Sequence, residues 1–463
     1  MSAATLTAPP APAVYTAPDA AYERAFAAIA ARSGEPAALR QLRRSAFAQL
    51  QQRGFPTSKH EEYRQTNLAA VLQRSAFALP ERPGAATLRE AERAAQPGAA
   101  FGGPQLTFVD GHFTPELSRL KSLPAGVRAG ALLAANDAGD DRLAPLGELA
   151  DIGGENTMVA FNTAFFGDGA WIEIAPGAQV DAQIEIVHVA TGGAGVATMA
   201  HPRHLILAGR GSRAKVVETY LSLNGAAHLT NAVTEIFVAE NAELEHARLQ
   251  QENTAAYHIS AVHSRQAADS RLRLHALTFG GALTRNDVVT VLHGPGAEAL
   301  LNGLYVAEGR QHVDNHTVLD HAEPRGASRE YYRGILDGQA TTAFRGRILV
   351  RPDAQHTDAV QSDKNLLLSS DCTANADPQL EIRADDVRCT HGATFGQIDE
   401  EALFYLRSRG VGAEMARHLL IFAFAAEALG RLNPSPLRTR LETELFSRWT
   451  GLTPPEGAEA SGG

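Results

Sequence analysis

The sequence predicts a mainly β protein, a parallel β-helix flanked by helical segments. Three observations predict this fold. Short strand-like runs fill the stretch from residue 161 to residue 397, a repeat of about 30 residues divides that stretch, and helical patterns occur only before and after it. A repeat of this length suits coils of two strands and two turns, because antiparallel sandwiches usually turn every ~8–12 residues.

The repeat is anchored on a small residue that follows each turn. These residues are Ala178, Ser212, Ala242, Ser270, Ala297, Ala327 and Ala354, with a weaker eighth member at Asp386. In the early coils, the second, fourth and sixth positions after the small residue are mostly apolar and the intervening positions mostly polar. One set should therefore line the interior while the other faces solvent. The alternation weakens after Ala327, which indicates a local shift of register.

The texture of the sequence divides the chain into six units. They are a disordered N-terminus (1–20), a helical segment (21–78), a linker with one short helical piece (79–105), the β-helix (106–398), a C-terminal helical domain (399–450) and a flexible tail (451–463).

Composition excludes several classes of function. The formal net charge is -10 with no long basic run, which argues against nucleic acid or an anionic membrane surface as a partner. Two cysteines cannot form a disulfide framework and suggest a reducing compartment. The N-terminal residues do not resemble a secretory signal, and no apolar run reaches the ~20 residues of a membrane span, so we expect a cytoplasmic protein. No phosphate-binding loop with its lysine is present, and an ATPase is not expected.

The histidines carry a weak signal. His312, His316 and His321 lie close together in the sequence, but their spacing matches no zinc motif. Polar ladders on the faces of the β-helix are the simpler interpretation.

Cys389 and His391 are the stronger candidates for chemistry. They are two residues apart, so on a strand they share one face, and the repeat alignment places them in outward, polar columns. A metal site, a buried thiol beside a hydrogen-bonded histidine, and a cysteine nucleophile all remain open at this point. The nucleophile has no identifiable orienting residue or oxyanion hole. Because iron–sulfur clusters usually take about four thiolates, any cluster here needs ligands from a partner. Cys372 lies in a predicted turn and is expected to be incidental.

A carbohydrate-active β-helix enzyme is one alternative. Its active site would need clustered acidic residues on one outward sheet. Asp385 with Asp386, and Asp358 with Asp363, are weak substitutes.

Residues 344–410 closely resemble the SufB/SufD family of iron–sulfur cluster assembly proteins. The segments SKHEEYRQTNL (58–68), LTFVDGHF (106–113) and NHTVLDHAEPRGASREYYRGILDG (315–338) share this resemblance. It implies a right-handed parallel β-helix and a scaffold role without enzymatic activity. The strand 362–366 has no cysteine, and the later segment contains Cys-Thr-His-Gly rather than a His-Glu pair. Both features resemble the SufD branch and argue against the alternative of a SufB-type homodimer.

The resemblance also implies partners and sites. A SufB-like paralogue and a SufC-like ABC ATPase would complete the complex, and a nascent Fe–S cluster would be held transiently at the interface between the paralogues. Cys389 and His391 map to that interface, with His391 the favoured ligand. The ATPase would dock on the C-terminal helices through Arg409, Gly410, Met415, Ala416, Leu419 and Leu420. Whether a flavin binds the complex stays open.

Overall fold

The computed structural model describes most of the chain, namely residues 15–31, 35, 37–74, 77–99, 102–137, 143–151, 154, 156–192, 195–433 and 435–452. Most of the predicted disordered N-terminus and flexible tail lies outside these ranges.

Helices lie before and after the strand-rich region, with two short ones at its start. They are α1 (Ala20–Ala30), α2 (Ala37–Arg53), α3 (Leu68–Arg74), α4 (Ala85–Ala99), α5 (Leu132–Asp137), α6 (Thr157–Phe165), α7 (Glu400–Ser408), α8 (Ala413–Leu429) and α9 (Pro436–Thr450), with 3-10 turns at Glu61–Tyr63 and Pro115–Leu117. The predicted linker, 79–105, thus contains α4. The predicted β-helix range, 106–398, contains α5 and α6.

The strands form two long sheets. Sheet 1 contains β3 (Gln105–Val109), β4 (His112–Phe113), β7 (Gln179–Ala190), β10 (Arg213–Ser222), β12 (Glu243–Gln251), β14 (Arg271–Thr278), β16 (Glu298–Ala307), β18 (Ala327–Leu336), β20 (Asp358–Leu367) and β22 (Arg388–Gly396). Sheet 2 contains β5 (Val127–Ala131), β6 (Ala170–Ile174), β8 (Thr198–Ala200), β9 (Arg203–Ala208), β11 (His228–Val238), β13 (Tyr257–Gln266), β15 (Leu283–Leu292), β17 (His312–His321), β19 (Thr341–Val350) and β21 (Thr373–Ile382). A separate small antiparallel pair joins β1 (Tyr15–Thr16) to β2 (Phe55–Pro56).

The chain winds as a parallel β-solenoid of about seven turns. Successive strands alternate between the sheets, and each strand pairs in parallel with the equivalent strand of the next coil, as β12 does with β14. The predicted fold class, a β-helix flanked by helices, is confirmed. Parallel strands stacked in this way bury one face of each sheet against the other.

The alternation of side chains in the early coils also agrees with the prediction. Leu244 and Leu272 are paired neighbours on the inner face and are almost fully buried in the central core. Full burial of such a side chain contributes about 1.5–3 kcal/mol. Further along, Gly334 lies on the inner face where a Cβ atom would come within 2.2 Å of the Tyr305 ring, so only glycine leaves room for that aromatic side chain.

The predicted alignment of the last three coils is wrong. Hydrogen bonds and strand register place Gly326, Thr357 and Val387, rather than Ala327, Ala354 and Asp386, in the column of Ala297. In the earlier turns the residue before this column is left-handed and is Gly, Asn or Asp, the residues that adopt this conformation most easily. In the later turns Arg325 and His356 hold the left-handed position, with φ of 61° and 62°. Because Arg and His are not typical of this conformation, the sequence gives no clear sign of these two turns.

The N-terminal part of the chain covers the beginning of the solenoid in two ways. The segment 105–131 places Phe108 and Val127 in the central core, so it closes the interior of the first coil. Helices α1, α2 and α6 pack with outer-face residues of sheet 2 in a second core rich in aromatic side chains, including Tyr22 and Phe161, whose rings lie 5.4 Å apart in an edge-to-face contact.

Helices α8 and α9 cover the outer face of sheet 1. Ile421, Leu429 and Leu441 are buried in a third core together with Leu249 and Leu304 of the sheet. In the part of the chain that the structure describes, no helix has the length and apolar character to cross a membrane.

Candidate functional site

The C-terminal end of the solenoid is open. In the part of the chain that the structure describes, strands β21 and β22 are the last members of their sheets, and each pairs with a single neighbour, β19 and β20 respectively. One edge of each strand therefore carries unpaired backbone N–H and C=O groups, which can pair with another chain.

The inner face of this last coil is also exposed. Phe395 of β22 and Ile382 of β21 stand in columns that are buried in the preceding coils, yet they are 48% and 42% exposed. Large apolar side chains in such positions mark a surface suited to contact with another protein.

Cys389 and His391 both lie on this open inner face. Cys389 pairs with the buried Ala359 and packs against the central core, while His391 pairs with the buried Gln361 and is itself exposed. The prediction that both stand in outward columns is wrong, because the turn before β22 was placed one residue too early. A slip of one residue moves every side chain of a strand to the other face.

The thiol of Cys389 is not activated by its surroundings. Burial raises its pKa, and the nearby Asp358 carboxylate raises it further. A nucleophilic cysteine would instead need a lowered pKa. These surroundings favour a thiol that loses its proton only when a metal ion or another strong electrophile arrives.

Buried polar side chains lie beneath His391. Gln361 donates from Nε2 to Oε2 of Glu330 at 2.6 Å, and these two residues continue the column of His391 into the interior. Burial raises the pKa of Glu330 to about 7. Burial likewise raises the pKa of Asp363, one coil below the opening, to about 7. Among the described residues, neither carboxyl group has a histidine or arginine partner that would hold it ionised.

The described residues contain no group of three or more His, Cys, Asp and Glu side chains arranged to hold a metal ion. Within these residues, Cys389 and His391 form a pair of candidate ligands only.

Cys372 lies immediately before β21 in the same last coil, half-buried, with its thiol 3.6 Å from the Gly338 carbonyl oxygen. Its position agrees with the predicted turn.

The grouped histidines of β17 have structural partners. His316 contacts Asp314 and Glu62, His312 lies 2.8 Å from the Thr66 hydroxyl, and His321 lies 2.9 Å from that of Ser328. His312 and His316 thereby tie the segment after α2 to the outer face of sheet 2.

The two free edges differ in their ability to pair. The Arg388 N–H donates to the carbonyl oxygen of Thr357, the residue immediately before β20, so the N–H groups of alternate residues from Cys389 to Phe395 point to the free side. On β21 the Thr373 N–H donates to Ala340, which puts Pro378 on the free side, where it offers no donor. Strand β22 is therefore the better edge for adding a strand.

The six predicted docking residues of the C-terminal helices are not equally accessible. Arg409 caps α7 and is exposed, with its guanidinium 5.2 Å from the centre of the Tyr405 ring, and Gly410 follows in a left-handed turn with φ of 89°. Ala416 is fully buried. Leu420 packs against the core beneath α8.

The remaining two, Met415 and Leu419, are partly exposed. Two aromatic side chains that the sequence reasoning did not select, Phe404 and Tyr405 of α7, are 73% and 58% exposed. The pair lies beside Asp399 and Glu400 at the start of the helix. In the sequence these two residues lie in a contiguous apolar run, ALFYL, and such a run does not indicate which of its side chains are exposed on α7.

Two family models match this chain, one over its N-terminal part and one over most of the remainder. Residues 188–424 match the SufBD core domain of the SUF system for FeS cluster assembly, and residues 19–186 match the SufBD N-terminal region. The chain belongs to the SufBD family. The core match begins in β7 and ends in α8, so it contains the open end and part of the C-terminal helices.

Relatives cover most of the chain. It is 31% identical to the iron–sulfur cluster assembly protein SufD of Escherichia coli, over 87% of this chain and 91% of that protein. It is 32% identical to an iron–sulfur cluster assembly SufBD family protein of Synechocystis, over 73% of this chain and 76% of the relative. The chloroplastic protein ABCI7 of Arabidopsis thaliana is 36% identical over 52% of this chain. The predicted resemblance to the SufD branch and the predicted role in iron–sulfur cluster assembly are confirmed.

Proposed function

We propose that this chain is the SufD-type, non-catalytic scaffold subunit of an iron–sulfur cluster assembly complex in the cytoplasm. It pairs through its open end with a SufB-like paralogue and carries a SufC-like ATPase on its C-terminal helices. The observation that supports this role best is the open last coil, which exposes an unpaired strand edge, apolar side chains and two candidate ligands in one place. Two free cysteines suit a reducing compartment.

The paralogue adds a strand along β22. Main-chain hydrogen bonds along a free edge supply affinity, and side chains on the alternate positions supply specificity. Phe395 and Ile382 lose their exposed apolar surface when a second solenoid covers the last coil, which adds a hydrophobic contribution to pairing.

The nascent cluster is cargo held between the two subunits. Cys389 and His391 offer one thiolate and one imidazole from this side, and the paralogue supplies the remaining ligands. Because burial and Asp358 raise the pKa of the Cys389 thiol, binding of iron there must release a proton. His391, exposed and without the covering of the earlier coils, is the ligand that needs the least rearrangement.

The ATPase docks on the exposed surface of α7 and the start of α8. Phe404, Tyr405, Met415 and Leu419 form this surface, with Arg409 and Gly410 at its turn. Ala416 and Leu420 contribute from beneath, by fixing α8 on its core. ATP binding could then change how the two solenoids meet, since a rigid solenoid transmits a tilt at one end along its length.

Co-expression of the full chain with a SufB-type paralogue and a SufC-type ATPase, followed by native mass spectrometry, tests the proposal. We expect one copy of this chain, one paralogue and two ATPases. Ala393→Pro should abolish pairing with the paralogue and leave the circular dichroism spectrum unchanged, because it removes a donor on the free side of β22. A monomer or homodimer that ignores both partners would contradict the proposal.

Two further variants and one control separate the sites in the same experiment. His391→Ala should assemble normally but yield less cluster, measured by visible absorbance, whereas Arg388→Ala, on the outer face of the same strand, should match the wild type. Phe404→Ser should lose the ATPase and keep the paralogue. Full cluster yield from the His391 variant would remove this residue from the ligand set.

A further inference from the structure

A groove lies between sheet 1 and the loop that joins α8 to α9. Its volume is about 440 Å³, within the range of about 300–1,000 Å³ that small-molecule sites occupy. Strands β14, β16 and β18 form one side, and Gly430 to Asn433 with Arg438 form the other. The groove is distinct from the open end and from the exposed aromatic surface of α7.

The groove concentrates positive charge. Five arginines line it against a single acidic residue, Glu298; the arginines are Arg271, Arg273, Arg329, Arg431 and Arg438. The chain as a whole has a net charge of -10, so this charge is opposite in sign to that of the rest of the molecule. A concave surface lined by one sign of charge focuses the field and attracts counter-ions.

Arg273 is the central donor. It is half-buried at the groove wall, and it forms no hydrogen bond or ion pair with any residue in the described ranges. A guanidinium carries five N–H donors, and a partly buried one without an acceptor is costly unless a ligand or water supplies the acceptor.

The other arginines keep donors to spare. Arg329 donates to the Asp358 carboxylate at 2.7 Å and to the carbonyl oxygens of Ser328 and Asp358, both at 2.9 Å. Arg271 pairs with Glu298 at 3.4 Å, and Arg438 pairs with Glu442 at 2.8 Å. Arg431 donates once, to the Glu427 carbonyl oxygen at 2.6 Å. Each guanidinium thus retains N–H groups for an anion, and bidentate contacts with phosphate or carboxylate are the strong form of such bonds.

The loop side of the groove is fixed in place. The backbone and side-chain nitrogens of Asn433 donate to the two carboxylate oxygens of Glu245, at 2.9 and 2.8 Å. His275 lies 3.2 Å from the same carboxylate. A site held in this way loses little entropy when a ligand binds.

The floor between the arginines is apolar. Leu300 lies between Arg273 and Arg329 in one column of paired residues, which separates the two guanidinium-bearing strands by about 9–10 Å. Beside it, Arg431 stacks on the Tyr331 ring at 4.1 Å. We propose that this groove binds a phosphate-bearing organic anion of nucleotide size, with phosphates on the arginines and the organic part over Leu300 and Tyr331.

Isothermal titration calorimetry on the full chain, with pyrophosphate and with ADP as probes, tests the proposal. We expect saturable binding of one ADP per chain, tighter than that of pyrophosphate because only ADP reaches the apolar floor. Arg273→Gln should weaken ADP binding roughly ten-fold or more, since a charge-assisted hydrogen bond is lost. Arg213→Gln removes the same charge from an exposed position of β10, outside the groove, and should bind as the wild type does.

Three results would overturn the proposal. The first is that neither probe binds in a saturable way. The second is that Arg273→Gln and Arg213→Gln weaken binding equally, which would mean general charge attraction without a site. The third is that ADP binds no more tightly than pyrophosphate, which would remove the role of Leu300 and Tyr331. None of these results depends on the partner proteins, so they leave the proposed scaffold function untouched.

Discussion

Phe108 and Phe395 stand at opposite ends of one column of inward-facing residues. Pairing from strand to strand connects them through His188, Tyr220, Gln250, Thr278, Tyr305, Gly334 and Asn365. Phe108 is fully buried and stacks on His188 with ring centres 4.9 Å apart, whereas Phe395 is 48% exposed. A phenylalanine in this column is therefore a core residue at one end of the solenoid and a surface residue at the other.

The polar interior shows the same contrast. Near the covered end, Glu252 accepts hydrogen bonds from His228 and His258, and although burial would raise its pKa, these histidines hold it below the usual range. Near the open end, none of the histidines in the described ranges contacts Glu330 or Asp363 in this way. The polar groups at the covered end thus have partners within the chain, which stabilises that end. The open end keeps polar groups and strand edges that another molecule can pair with.

The largest effect is expected at the covered end. Phe108→Ala should lower the free energy of unfolding by about 3–5 kcal/mol, because it leaves a cavity where the interior is closed. Urea unfolding followed by circular dichroism measures this loss. A loss below about 1 kcal/mol would mean that segment 105–131 does not seal the first coil.

A smaller effect is expected from the uncompensated carboxyl groups. The pKa of Glu330 is raised to about 7 from 4.5, so between these values the folded state binds more protons than the unfolded state. Stability should therefore fall as the pH rises from about 5 to 7 and stay low above it. Glu330→Gln should remove this contribution. On going from pH 5 to pH 8, the free energy of unfolding of the variant should therefore rise relative to that of the wild type by on the order of 1–3 kcal/mol.

The control for that pH series is Glu401→Gln, at an exposed position of α7. It should follow the wild-type dependence on pH. If the Glu330 variant follows it as well, the carboxyl group does not titrate in this window and the contrast between the two ends is weaker than proposed.

The smallest effect is expected from Phe395→Ala, the counterpart of the Phe108 substitution. Because Phe395 is already half in solvent, the free energy of unfolding of the isolated chain should change by less than about 1 kcal/mol. Pairing with the paralogue should weaken instead, as measured by the fraction of complex in native mass spectrometry. Equal destabilisation by the two substitutions would show that the last coil is as closed as the first.

The early coils could be predicted from the sequence because their turns contain residues that are typical of turns. Gly177, Gly211 and Asn241 hold the left-handed position, and a clear alternation of apolar and polar residues follows each. Local chemistry and tertiary structure agree there, so the repeat length, the fold class and the inner face all followed from the residues.

The later coils could not be aligned in the same way. Arg325 and His356 adopt the left-handed conformation against their usual preference, held by backbone bonds from their N–H groups to Gln355 and Asp386 of the next coil. That support comes from residues about 30 positions away. The resulting error in register reversed the faces assigned to Cys389 and His391.

The exposure of the site could not be predicted from any local pattern. The segment RCTHGATFG has the alternation of an ordinary inner strand, and its inner face is uncovered because no further coil follows it within the described residues. The resemblance to the SufB/SufD family, carried by whole segments, predicted that Cys389 and His391 lie at an interface, and this stays a prediction. The repeat alone placed them on the wrong face.

A solenoid closed at one end can join others in one way only. End-to-end filaments require two different complementary surfaces on each unit, and segment 105–131 removes one of them. In the proposed pairing, where open end meets open end, neither solenoid keeps a free end for a third. The shape of the subunits would then limit such an assembly to two solenoids, with no need for a separate device that stops growth.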